Sequence, residues 1–253
     1  MSAGLLDIFV AGVQKAGTTT LYAYLAGHPQ LCAPATKELH YFDNEARDWA
    51  SGDYSDLAPL LGAGRGFDCT PIYGFWGPSL ARIRAYNPAA RLIFLYRDPF
   101  ERAWSHWCME VARGAESLPF AEAIRAGRGR MPADAPLAGA HRVFSYVERG
   151  FYGSQLARAL HLFDRRQLLL LDLADLAARP AATLARVASF LGLAPFGPVA
   201  PRHDHRAPAR AWPGGAPTPA DRALLHALWA GDMALFASLS GMDVGRWGFA
   251  PSP

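Results

Sequence analysis

Lys15, Gly17, Thr18, Thr19 and Thr20 crowd into one short stretch, Gln14-Lys15-Ala16-Gly17-Thr18-Thr19-Thr20. An ammonium, a glycine and three consecutive hydroxyls are residue types suited to holding an oxyanion. An apolar run from Ile8 to Val13 precedes them, and Leu21, Tyr24 and Leu25 follow at helical spacing. Strand, tight turn and helix build an anion site, because free N–H groups and the positive end of the helix dipole point into the turn. Gly17 lets the backbone come close to a ligand. An ordinary strand–turn–helix with a surface lysine fits the same residues.

The order of these residues departs from the nucleotide loop G-x-x-x-x-G-K-[ST], in which Lys follows the glycine. Here Lys15 comes before Gly17. An ATP-dependent nucleotide kinase is weakened for that reason. A second stretch, Lys37-Glu38-Leu39-His40-Tyr41-Phe42-Asp43, is dense in titratable and aromatic groups. In an extended segment Glu38 and His40 would share one face, and either could serve as a general base. Taken alone, the stretch reads more simply as a solvated Lys37–Glu38 pair beside a core Tyr41-Phe42.

A third stretch begins with the apolar run Ala90 to Tyr96 and ends in Arg97-Asp98-Pro99. The run has the character of a central parallel strand. Asp98 fits a helix cap and Pro99 the first helical position. Arg97 then sits at the C-terminal end of a strand, where open α/β sheets bind ligands. Ser105 falls about two turns into the helix. A planar guanidinium is well matched to phosphate, although an Arg97–Asp98 pair at a helix start is the plainer account.

Taken together, these stretches resemble the sulfotransferases that use 3′-phosphoadenosine 5′-phosphosulfate (PAPS). The order K-x-G-T-T after a strand resembles their 5′-phosphosulfate loop, and RDPFERAWSHW is similar to their 3′-phosphate motif. In the heparan-sulfate type and its bacterial relatives, an acid followed by two aromatics supplies the catalytic base. Glu38 with Tyr41-Phe42 matches that pattern. Asp68, Thr70, Pro71 and Tyr73 also match, but Cys69 stands where glycosaminoglycan-modifying members commonly have Lys. The string Arg149-Gly150-Phe151-Tyr152 resembles an R-G-x-Y element near the 3′-phosphate.

The resemblance implies a division of tasks. Lys15, Ala16, Gly17, Thr18, Thr19 and Thr20 hold the 5′-phosphosulfate, and Lys15 also offsets charge on the leaving group. Arg97 and Ser105 hold the 3′-phosphate, with Tyr152 nearby. Glu38 is the base, and His40 is a second catalytic candidate. Arg206 and Arg210, in a Pro- and Gly-rich basic stretch, reach the cofactor phosphates, and Trp212 either stacks on a base or packs.

Composition limits the alternatives. With 253 residues, 51% of them apolar and 19% charged, the chain can bury a full core. A charge of +3 fits an anionic ligand and is too small to argue for nucleic acid. Cys32, Cys69 and Cys108 form no C-x-x-C pair, so no zinc site or disulfide framework is expected. His203 and His205 have Arg neighbours that disfavour a bound cation. No secretory leader is legible and no segment reads as a membrane span, so a cytoplasmic protein is expected.

The expectation is therefore a single sulfotransferase domain over residues 1–253. Its fold would be α/β, a P-loop NTPase-like three-layer fold with about five parallel strands and helices on both faces. It would move a sulfuryl group from PAPS to a small-molecule, natural-product or saccharide acceptor and release PAP, without a metal. A nucleotide kinase, or a PAP-sensing module without catalysis, stands as the alternative.

Overall fold

Strand β1, Ile8–Gly12, is buried along its whole length. A continuous apolar run has no polar face to offer water, so it must be covered on both sides, as in a parallel sheet. The structure, a computed structural model, describes residues 5–34, 36–57, 65–131, 139–200, 202 and 212–250. The chain divides into two compact units, residues 1–97 with 158–205 and residues 98–157 with 206–253.

The first unit holds the sheet. Its strands are β1, β2 (Leu31–Cys32), β3 (Arg65–Asp68), β4 (Arg91–Tyr96) and β5 (Leu168–Asp172). They lie in the order β2-β3-β1-β4-β5, and every neighbouring pair is parallel. Ile8 stands opposite Phe67 on one side and Arg91 on the other. The expected α/β class with five parallel strands is thus observed.

Alternating side chains feed two layers. Ile8, Val10, Phe67, Ile93, Leu95 and Leu171 form one core with Leu21 and Leu25 of helix α1 (Thr18–Ala26). Helix α7 (Leu173–Ala178) adds Leu176, and α8 (Pro180–Leu191) adds Leu184, Val187 and Leu191. On the opposite face Phe9 meets Phe42 edge-on at 5.6 Å. Phe42 in turn meets Tyr86 of helix α2 (Gly77–Tyr86) at 5.4 Å.

The second unit is helical. It contains α3 (Pro99–Ala112), α4 (Phe120–Ala126), α5 (Ala140–Val143), the start of α6 (Tyr152–Leu162) and α9 (Pro219–Ser240). Helix α9 opens with a reciprocal Thr218–Asp221 cap and buries Leu225, Trp229, Met233 and Phe236. By length and composition alone this helix would also suffice to cross a bilayer, which qualifies the expectation that no segment does. A core helix passes the same test, so a single helix of this kind is weak evidence of a membrane span.

Candidate active site

The turn after β1 is tied to the neighbouring strand. Val13 N–H donates to the Leu95 carbonyl at 2.9 Å, and Ala16 N–H donates back to Val13 at 3.2 Å. Lys15 has φ 69° and Gly17 φ 84°, so the chain passes twice through the left-handed region before α1 begins. Such a conformation favours glycine and costs a side-chain-bearing residue of order 1 kcal/mol. A Cβ at position 17 would also lie 2.5 Å from Leu173 Cδ1, so Gly17 is required on both counts.

Helix α1 starts with Gly17 as its cap, with no side-chain cap and no acidic residue in its first turn. The first-turn N–H groups and the helix dipole therefore favour an anion there. Thr18 and Thr20 are buried and Thr19 is half-buried. Arg97, one residue past β4, donates from Nη1 to the Lys15 carbonyl at 3.2 Å. Two of the stretches picked out in the sequence thus meet at the C-terminal end of the sheet.

The Glu38 segment lies beside the end of β3. Asp68 accepts from Thr70 Oγ1 at 2.8 Å and from the Tyr73 hydroxyl at 2.7 Å. The Tyr73 oxygen accepts from Tyr41 N–H at 3.1 Å and Phe42 N–H at 3.4 Å, and Leu39 N–H donates to Asp68 Oδ1 at 3.4 Å. Burial pushes the Asp68 carboxyl up, against hydrogen bonds from Tyr73 and Thr70 that favour its charge. Cys69 is buried, and its thiol, pushed up by burial, donates to the Thr18 carbonyl at 3.5 Å. The loop that carries Glu38 and the start of α1 are thereby joined through the end of β3.

Glu38 and His40 come together, but not by the extended geometry expected. Glu38 has φ 63° and His40 φ 50°. Two left-handed residues around Leu39 turn both side chains toward each other, and His40 Nε2 lies 3.4 Å from Glu38 Oε2. Backbone strain of this kind persists only where the surroundings hold it, and the β3 hydrogen bonds do so here.

On its other side His40 Nδ1 is 2.9 Å from Oδ2 of the fully buried Asp43. Lys37 Nζ pairs with Glu38 Oε1. Burial alone would raise the Glu38 carboxyl, but hydrogen bonds from His40 and Lys37, with their charges, outweigh it and bring it from 4.5 to about 2. Tyr41 and Phe42 are core residues. The salt pair and the aromatic core expected of a purely structural stretch are both present, together with an oriented imidazole.

The remaining expected site residues belong to the second unit. Ser105 is half-buried on α3, in the second unit, where Asp98 caps the helix by accepting from Phe100 N–H at 2.8 Å. Tyr152 is fully buried, 5.6 Å from the Phe236 ring and 6.1 Å from the Trp247 ring, a packing environment. Trp212 packs against Trp107 at 5.7 Å and Trp104 at 6.1 Å. Arg206 and Arg210 lie outside the described residues.

Lys37 and Asp43 were not picked out from the sequence as site residues. A carboxylate three residues after His40 was the available signal for Asp43. For Lys37 the available signal was the adjacent Glu38, read from the sequence only as a solvated pair.

No family model matches the chain. Heparan sulfate glucosamine 3-O-sulfotransferase 3B1 of Homo sapiens is 31% identical over 190 residues, 75% of this chain and 46% of that protein. Bifunctional heparan sulfate N-deacetylase/N-sulfotransferase 2 of Homo sapiens is 28% identical over 207 residues, 76% of this chain and 22% of that protein. The chain spans about half the length, or less, of the curated relatives it matches. The crystal structure of a sulfotransferase from Alicyclobacillus acidocaldarius superposes with a TM-score of 0.79 at 23% identity, covering 97% of this chain and 99% of that one. At that identity the likeness concerns the fold.

Proposed function

We propose that the chain is a PAPS-dependent sulfotransferase, on the premise of its kinship with the heparan sulfate 3-O-sulfotransferases, one of which it matches at 31% identity over 75% of its own length. The acceptor would be a hydroxyl or amine of a small molecule, natural product or saccharide, and PAP would be released. One observation carries the reading. An uncapped α1 start and the Arg97 guanidinium converge on the Lys15 backbone, a donor set that suits a sulfated and phosphorylated ligand and needs no metal.

PAPS would supply the sulfuryl group that the acceptor takes up. The N–H groups and hydroxyls from Ala16 to Thr20 would hold its 5′-phosphate end. Lys15 would offset charge that builds on the bridging oxygen, and preorganised charge of this kind is a large source of rate. Arg97 and Ser105 would hold the 3′-phosphate, with Tyr152, Arg206 and Arg210 contributing as the family resemblance implies. Glu38 would take the acceptor's proton, with His40, oriented by Asp43, beside it. Buried Cys69 has a packing contact where a glycosaminoglycan-modifying member would carry Lys, which favours a smaller acceptor. Three cysteines without a disulfide suit a reducing compartment such as the cytoplasm.

Calorimetry with PAP, and separately with ATP and magnesium, tests the reading. PAP is expected to bind in the absence of magnesium. Uptake of ATP and magnesium by a protein that ignores PAP would overturn the proposal. PAP binding with no sulfated product from any acceptor would instead favour a sensing module.

A further inference from the structure

Lys37 touches the proposed base and has no task in the reading above. Its ammonium engages Glu38 Oε1, while Glu38 Oε2 faces His40 Nε2 at 3.4 Å. The two carboxylate oxygens are therefore not equivalent. A carboxylate on a half-exposed side chain would otherwise rotate and offer either oxygen, since the terminal torsion of Glu is broad. The backbone on this side is already fixed, because Leu39, His40 and Tyr41 N–H groups bond to Asp68, Thr70 and Tyr73. Only the side chain of Glu38 remains to be set.

We propose that Lys37 is a positioning residue: by occupying Oε1 it presents Oε2, on the His40 side, as the atom that receives the acceptor's proton. This rests on the sulfuryl-transfer reading with Glu38 as base. Among the described residues, the charged and titratable groups that face Glu38 are Lys37 and His40, with Asp43 behind the imidazole and Asp68 and the Cys69 thiol at the end of β3. Of these, Lys37 is the one permanent cation. Its ammonium keeps the carboxylate ionised well into acid and weakens it as a base. Its removal should therefore move the acid limb of the rate profile.

The test uses Lys37→Met and Lys37→Arg in the full chain, with Glu38→Gln to identify the Glu38 resonance. Side-chain carboxyl carbons are followed by NMR against pH, with and without PAP, and sulfuryl transfer is measured over the same range. In Lys37→Met the Glu38 midpoint and the acid limb of kcat/KM should both rise by about one pH unit or more. Its kcat should fall about tenfold from lost orientation, with KM for PAPS unchanged. Lys37→Arg should keep the wild-type midpoint and recover most of kcat.

A purely structural Lys37 would let the Glu38 midpoint rise while kcat on the pH plateau stayed at the wild-type value, and that result, with PAP still bound, overturns this role alone. A wild-type protein that neither binds PAP nor transfers sulfate overturns the transfer reading and this role with it.

Discussion

The starts of α1 and α6 each follow a glycine-bearing stretch, Gln14–Gly17 in one case and Arg149–Gly153 in the other. The protein finishes them in opposite ways. Helix α1 has no side-chain cap and no acid in its first turn. Helix α6 receives the Asp232 carboxylate, which accepts from Gly153 N–H at 2.6 Å and Ser154 N–H at 2.8 Å. Both ends present the same orphan N–H groups and the same dipole. One is closed by an internal anion and contributes stability. The other has no carboxylate of its own, and Arg97 meets the Lys15 carbonyl beside it.

The glycines show the same contrast. Gly17 keeps the turn at φ 84° and makes room for Leu173. Gly150 and Gly153 exist for close approach, since a Cβ would lie 2.4 Å from Trp229 at the first and 2.2 Å from the Asp232 carbonyl at the second. A glycine beside a helix start is therefore a different signal in the two places.

The contrast can be broken experimentally, and the largest effect should come at α1. Lys15→Ala is expected to lower kcat for sulfuryl transfer about a thousandfold or more. Its thermal midpoint should stay within a degree or so of wild type, because a half-exposed lysine contributes little to stability. Loss of folding in this variant, seen by circular dichroism, would make the turn a structural element.

Gly153→Ala should do the reverse. Forcing a methyl against α9 backbone is expected to cost about 3 kcal/mol in chemical denaturation, with PAP affinity of the folded fraction retained. Asp232→Ala should cost less, about 1–2 kcal/mol, as expected for a lost helix cap, and again leave PAP binding intact. An Asp232→Ala protein that stayed fully stable but lost PAP would show that α6, too, belongs to the ligand site.

The smallest effect concerns acid. The folded Glu38 carboxyl lies at about 2 against an ordinary 4.5. A depressed carboxyl stabilises the fold above its unfolded value, and that stability is lost as pH falls from about 4.5 toward about 2. The wild-type thermal midpoint should therefore fall more steeply than that of Glu38→Gln across this window. Glu38→Gln should also lose turnover while still binding PAP by calorimetry. Parallel pH curves for the two proteins would remove the ion pairs from the account.

Much of this was readable along the chain because it is local. Ile8–Gly12 and Arg91–Tyr96 are apolar without alternation, which only a doubly covered strand explains. Asp98-Pro99 marks a helix start by residue type alone, and Asp98 caps Phe100 as expected. Lys15 before Gly17 already argued against the usual nucleotide loop. The Glu38 loop was harder, since its conformation contradicts the ordinary preference of Glu and His for negative φ. Hydrogen bonds from β3, some thirty residues further on, override that preference. The ring neighbours of Tyr152, Phe236 of α9 and Trp247 beyond it, come from the last part of the chain and were not legible around Tyr152 itself.

Residue order alone therefore determined where strands, caps and the tight turn before α1 would form, since each depends on neighbours a few positions apart. Which groups touch was decided only by the folded chain. Arg97 reaches Lys15 across 82 positions, and Asp232 caps Gly153 across 79. Contacts at that separation follow from strand order and helix packing, and no local pattern of residues encodes them.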